Sequence, residues 1–97
     1  NVEAEGYVRL WDAAERGDWD TARAEQERLN RIFDIVFQPR GLSGDATGVG
    51  AFKAAMAARG LIDEAFMADA VESLDADAVA SVREVLSRAG VLPVAVA

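Results

Sequence analysis

The sequence predicts an all-α fold of about four helices. Apolar residues recur at spacings of three and four in four separate stretches. Most of these stretches open at an Asp or Asn and close at a Gly, the residues that cap and stop helices. No run alternates apolar and polar residues as a half-buried strand would.

The first helix is expected over residues 3–16. Asn1 serves as its cap, Glu3 and Glu5 suit the positive end of its dipole, and Gly17 stops it. Tyr7, Leu10, Trp11 and Ala14 form its apolar stripe. Asp18 then caps a long second helix over residues 19–37, with Ala22, Leu29, Ile32, Phe33 and Val36 on the buried face. Arg23, Glu27, Arg28 and Arg31 lie outside that face, and Pro39 ends the ladder. The very short turn between these helices implies antiparallel packing.

The segment QPRGLSGDATG (residues 38–48) reads as a glycine-rich loop leading to a third helix over residues 49–59, closed by Gly60. A helical turn at residues 63–68 followed by loop is expected next. Asp75 caps the last helix, residues 76–89, with Val79, Val82, Leu86 and Ala89 facing inward and Gly90 ending it. The tail VLPVAVA is apolar, uncharged and expected to be exposed. No internal repeat or low-complexity segment is present.

With 97 residues the chain has room for one core. Hydrophobic residues at 52% and charged ones at 28% predict folding rather than disorder. Apolar runs fall far short of the ~18 residues of a membrane span, and no signal peptide opens the chain, so no membrane partner is expected. The first residue is Asn1 rather than methionine, from which we expect a chain processed or cut from something longer. The absence of cysteine removes disulfide and thiolate chemistry and suits a cytoplasmic location. The absence of histidine removes the commonest metal ligand and general base. Seventeen acidic against ten basic residues give a net charge of −7, which argues against nucleic acid as a partner.

Lys53, the only lysine, sits among apolar neighbours in GVGAFK (residues 48–53) and raises the question of a Schiff base. Such a lysine needs desolvation or a nearby cation, and a proton-transfer partner. No histidine is available, and a stem lying on apolar surface with its amine in water accounts for the residue. GVGAFK also lacks the third glycine of a dinucleotide fingerprint, and no Ser or Thr follows the lysine as in a phosphate loop. Asp18/Asp20 and Asp75/Asp77 begin like calcium loops, but Ala22 and Val79 stand at the next ligand position and the central glycine is missing. They read as caps and first-turn charges. Trp11, Trp19 and Tyr7 read as core before they read as a stacking platform. No catalytic, cofactor-binding or metal-binding residue is assigned, and no cofactor.

Four segments in order carry a resemblance: Asn1-Val2, AAERGDWDTAR (residues 13–23), FKAAMAARGL (residues 52–61) and REVLSRAGVL (residues 83–92). Together they resemble the C-terminal part of the dihydrodipicolinate synthase / N-acetylneuraminate lyase family of class I aldolases, over nearly the whole chain. The resemblance implies a parent (β/α)8 TIM barrel, with residues 1–17 matching its last helix and residues 18–97 forming a C-terminal helical domain. It further implies that this barrel is the chain's own partner, in a homo-oligomer (dimer or tetramer). The parent makes or breaks a carbon–carbon bond through a lysine Schiff base with pyruvate or another 2-oxo acid. The family's catalytic lysine, tyrosine and Gly-Thr-Thr segment all precede the position matching Asn1, so none is carried onto this chain. Lys53 matches a helical lysine. The alternative is a free-standing acidic helical interaction module. Its sharpest form is an acyl carrier, because Ser73-Leu74 in VESLD (residues 71–75) resembles part of the phosphopantetheine attachment motif.

Overall fold

In the computed structural model, which describes residues 2–68 and 72–92, every regular element is helical. The order is α1 (Ala4–Glu15), α2 (Trp19–Phe33), a 3₁₀ turn (Asp34–Phe37), α3 (Gly44–Ala58) and α4 (Ala76–Arg88). No strand occurs among the described residues, and among them no helix is long and apolar enough to cross a membrane.

Helix ends follow local backbone chemistry. Asp18 accepts a hydrogen bond from the Thr21 N–H at 3.2 Å, Ser43 from Ala46 at 3.2 Å and Asp75 from Ala78 at 2.8 Å, each satisfying an orphan donor of the first turn. Three C-termini share one geometry. Gly17, Gly60 and Gly90 take positive φ, and the next residue donates its N–H back into the helix: Asp18 to Ala13, Leu61 to Met56 and Val91 to Leu86. At α4 this return places Val91 against Leu86 in the core. The expectation of an exposed tail is thus wrong for Val91, while residues 93–97 lie outside the described residues.

α1 and α2 form an antiparallel hairpin, since Glu3 meets Arg28, Gly6 meets Leu29 and Arg9 meets Glu25. The Gly6 hydrogen lies so close to α2 that an added Cβ would stand 2.8 Å from Leu29 Cδ2. Among helices, α1 touches α2 alone. Leu29, which meets Gly6, also belongs to the core. Leu29, Ile32, Ile35, Ala51, Ala54, Ala55, Val82, Val85 and Leu86 fill it, with Val2 reaching in from ahead of α1.

Five sequence expectations need correction. Asn1 lies outside the described residues, and the N-cap position of α1 is Glu3, whose carboxylate is committed elsewhere and does not cap. The buried face of α1 is Gly6 and Ala13 with Leu10 behind them, so Tyr7, Trp11 and, on α2, Trp19 are exposed rather than core. The second α-helix stops at Phe33 and tightens into the 3₁₀ turn. That change of period swings Ile35 fully inward and leaves Phe37 73% exposed, while Phe33, at the end of α2, is half-exposed. The third helix starts at Gly44, inside the expected glycine-rich loop, because Ser43 caps it and Leu74 fills the notch at Gly50. No helical turn forms at residues 63–68.

The notch separates two glycines of one helix. A Cβ at Gly50 would lie 2.3 Å from Leu74 Cδ1, whereas Gly48 has open space around it. Gly48→Ala is expected to raise stability by about 0.5–1 kcal/mol through reduced backbone freedom. Gly50→Ala should lower it by about 1 kcal/mol or more, because Leu74 must move. Urea unfolding midpoints of the two variants check this opposition of sign.

Candidate functional site

A carboxylate buried against two arginines is the most unusual chemistry in the chain. Glu3 is 6% exposed. The Arg28 guanidinium donates to both of its oxygens, Nη1 to Oε2 at 2.5 Å and Nη2 to Oε1 at 2.7 Å, the bidentate geometry arginine favours. Arg9, one and a half turns further along α1, also donates to Glu3 Oε1, and its Nε reaches Glu25 Oε1 at 3.0 Å. Arg28 Nη2 closes the ring onto Glu25 Oε2 at 2.9 Å. Across the gap, Arg59, just past α3, donates to the Val2 carbonyl and lies 3.7 Å from Glu5.

Burial alone would raise the pKa of Glu3, but the hydrogen bonds and charges of Arg28 and Arg9 outweigh it and hold the carboxyl below its ordinary value. Glu25 is lowered by the same balance. Hydrogen bonding to Glu3, then to Glu25, raises the already high pKa of Arg28. Four charges thus stay ionised at neutral pH and cancel pairwise. This cluster is a clamp with every carboxylate committed, and it offers no free acid or base for catalysis.

Beside the clamp runs an apolar surface. Tyr7, Val8 and Trp11 of α1 are exposed, Trp11 at 66%. Tyr7 also lines a groove of about 220 Å³ with Val2, Glu3, Leu29, Ile32, Phe33 and Phe52. The Phe33 and Phe52 rings meet edge to face at 5.5 Å, which ties α2 to α3 at the groove's wall. A second, more open cleft lies between the end of α3 and α4, with Arg59, Arg83 and Ser87 on its walls.

The residues weighed in the sequence for chemistry are dispersed. Lys53 projects from α3 and donates its Nζ to the Phe66 carbonyl at 2.6 Å, so the amine is tied to a backbone oxygen instead of standing free in water. Ser73 is exposed in the segment before α4. Asp18 and Asp75 cap helices, and hydrogen bonds from Thr21 lower the Asp18 pKa. No three potential metal-ligating side chains converge among the described residues. The clamp itself escaped sequence reasoning. Its only local signal is the Glu25–Arg28 spacing of one helical turn, and Glu3 lies 25 positions from Arg28.

The fold and its surface define a small helical domain with an apolar face exposed on its peripheral helix. No protein-family model matches the chain, and no curated protein matches it.

Two outcomes follow from this geometry. The Glu3 and Glu25 carboxyls sit lower in the folded than in the unfolded chain, where glutamate titrates near ~4.3. Their stabilisation is therefore complete above that value and is lost as the pH falls through it toward their folded values. The denaturant midpoint should drop on acidification below about pH 4.5. Glu3→Gln should flatten that acid limb and cost about 2–3 kcal/mol at pH 7, less than the ~3–5 of a sealed ion pair because Arg9 and Arg28 keep access to water. For Lys53, borohydride reduction in the presence of pyruvate should leave the mass of the chain unchanged. An adduct on Lys53 would instead make it a carbonyl nucleophile.

Proposed function

We propose that the chain is the C-terminal helical part of a dihydrodipicolinate synthase / N-acetylneuraminate lyase-like class I aldolase. In this reading α1 is the last helix of a (β/α)8 barrel, and α2 to α4 pack outside the barrel and along its rim. The parent enzyme forms or cleaves a carbon–carbon bond through a Schiff base between a barrel lysine and pyruvate or another 2-oxo acid. This chain contributes no catalytic group to that step.

The observation that carries the reading is the uncovered face of α1. A barrel helix must bury one side against the sheet, and α1 carries exposed Val8 and Trp11, with half-exposed Tyr7 at the edge of its contact with α2. The order of elements fits the same reading in part: α1 stops before Gly17, a tight turn at Asp18 follows, and then come helices of 15, 15 and 13 residues. Barrel active sites open at the C-terminal ends of the strands, so the segment at residues 38–48 is placed in this reading to shape the entrance. The same reading has the parent acting as a homo-oligomer in the cytoplasm.

Sequencing the reading frame upstream of Asn1 in the source DNA tests this. About 200 residues with eight strand–helix repeats and a strand-borne lysine are expected. A start codon immediately upstream would remove the aldolase reading. In the full enzyme, Trp11→Asp should destabilise the protein by about 2 kcal/mol or more, as burial of a charge against apolar neighbours does. In the isolated chain, where Trp11 is exposed, the same substitution should change stability by less than about 0.5 kcal/mol. Thermal denaturation of both forms separates these cases.

A further inference from the structure

The attachment of α1 differs in kind from every other contact between elements. α2, the 3₁₀ turn, α3 and α4 share one apolar core, to which α1 supplies no fully buried large side chain. Its own buried residues are Gly6 and Ala13, neither of which removes much apolar surface from water. Only Val2, ahead of the helix, and the partly buried Leu10 join the core from this segment. The remaining attachments are polar. Glu3 is gripped by Arg28 from α2 and by Arg9 from α1 itself, and Glu25 of α2 completes the ring. Arg59, from beyond α3, holds the Val2 carbonyl and faces Glu5. These are all the charged groups that meet the start of α1 from the elements around it in the described residues.

We propose that α1 is a releasable helix latched by the Glu3 carboxylate, and that losing this one charge undocks it while α2 to α4 stay folded. Neutral Glu3 would leave the Arg28 and Arg9 guanidinium groups to share Glu25 alone, two positive charges repelling over one carboxylate. That repulsion falls on the element with the least apolar anchorage. A free twelve-residue helix is marginal in water, so an undocked α1 melts and lays bare the Leu29 side of α2. The mechanism is that of this chain with no barrel wall against α1, and the aldolase reading would give the helix a second, apolar anchorage. Acid and a neutralising substitution reach the same state by different routes.

Amide hydrogen exchange on the chain at pH 7, resolved by residue, is the test. In Glu3→Gln the amides of α1 should lose protection by about thirtyfold or more, while those of α3 and α4 change by less than about threefold. Glu84→Gln, which breaks the exposed pair with Arg88 on α4, should leave α1 protection unchanged. In the unsubstituted chain, protection factors corrected for intrinsic rate should fall first in α1 as the pH is lowered from about 5 to about 3. Equal loss of protection in α1 and α4, unchanged protection of α1, or failure of Glu3→Gln to fold would each overturn the proposal. The acid series tests it independently, because simultaneous loss across all helices there means that α1 and the core unfold as one unit.

Discussion

Taking a carboxylate out of water is costly unless its oxygens find donors, and Glu3 finds them on two sides at once. Arg28 supplies a two-pronged grip from α2, and Arg9 a further bond from the same helix as the carboxylate. The direction of the first hairpin and the close approach at Gly6 both depend on that arrangement. So does the position of Val2, whose side chain enters the core one residue before the buried charge. A neutral or longer side chain at position 3 would leave two guanidinium groups to be solvated in a space built for an anion.

The chain divides into parts with different cohesion. α2 to α4 interlock through Leu29, Ile32, Ile35, Val82 and Leu86, whose contacts are apolar and indifferent to pH. The helix hairpin at the start is held by charge geometry and by two small residues. Its aromatic surface stays exposed among the described residues, which is why the aldolase reading gives it a barrel wall. Glu3 of the clamp and Tyr7 of the aromatic face line one groove, and Trp11 is exposed further along α1.

What was legible in the sequence was local. Asp18 and Asp75 as caps, and Gly17, Gly60 and Gly90 as stops, follow from rules that act within one turn of backbone. The start of α3 was missed because glycine composition argues against a helix, whereas the fit of Leu74 into Gly50 is a contact between distant residues. Ile35 was missed for a different reason. Periodicity assumes a constant turn, and the tightening after Phe33 turns Ile35 fully inward while the expected Val36 packs on the core only in part. The Glu3 clamp was illegible because any of several arginines in the sequence was an equal candidate until the hairpin brought Arg28 to it. The uncommitted chemistry was read better. Lys53 was assigned to a helix surface, although the carbonyl that holds its amine was not foreseen.

The bond between Lys53 and the Phe66 carbonyl has a consequence for how this protein can be modified. With a single lysine in the sequence, acylation or isopeptide tagging has one side-chain amine to act upon. That amine fastens the segment after α3 to the helix. Any acyl group placed there removes the charge and leaves a single amide N–H for the Phe66 carbonyl, so chemical marking of this chain would weaken the hold on that segment.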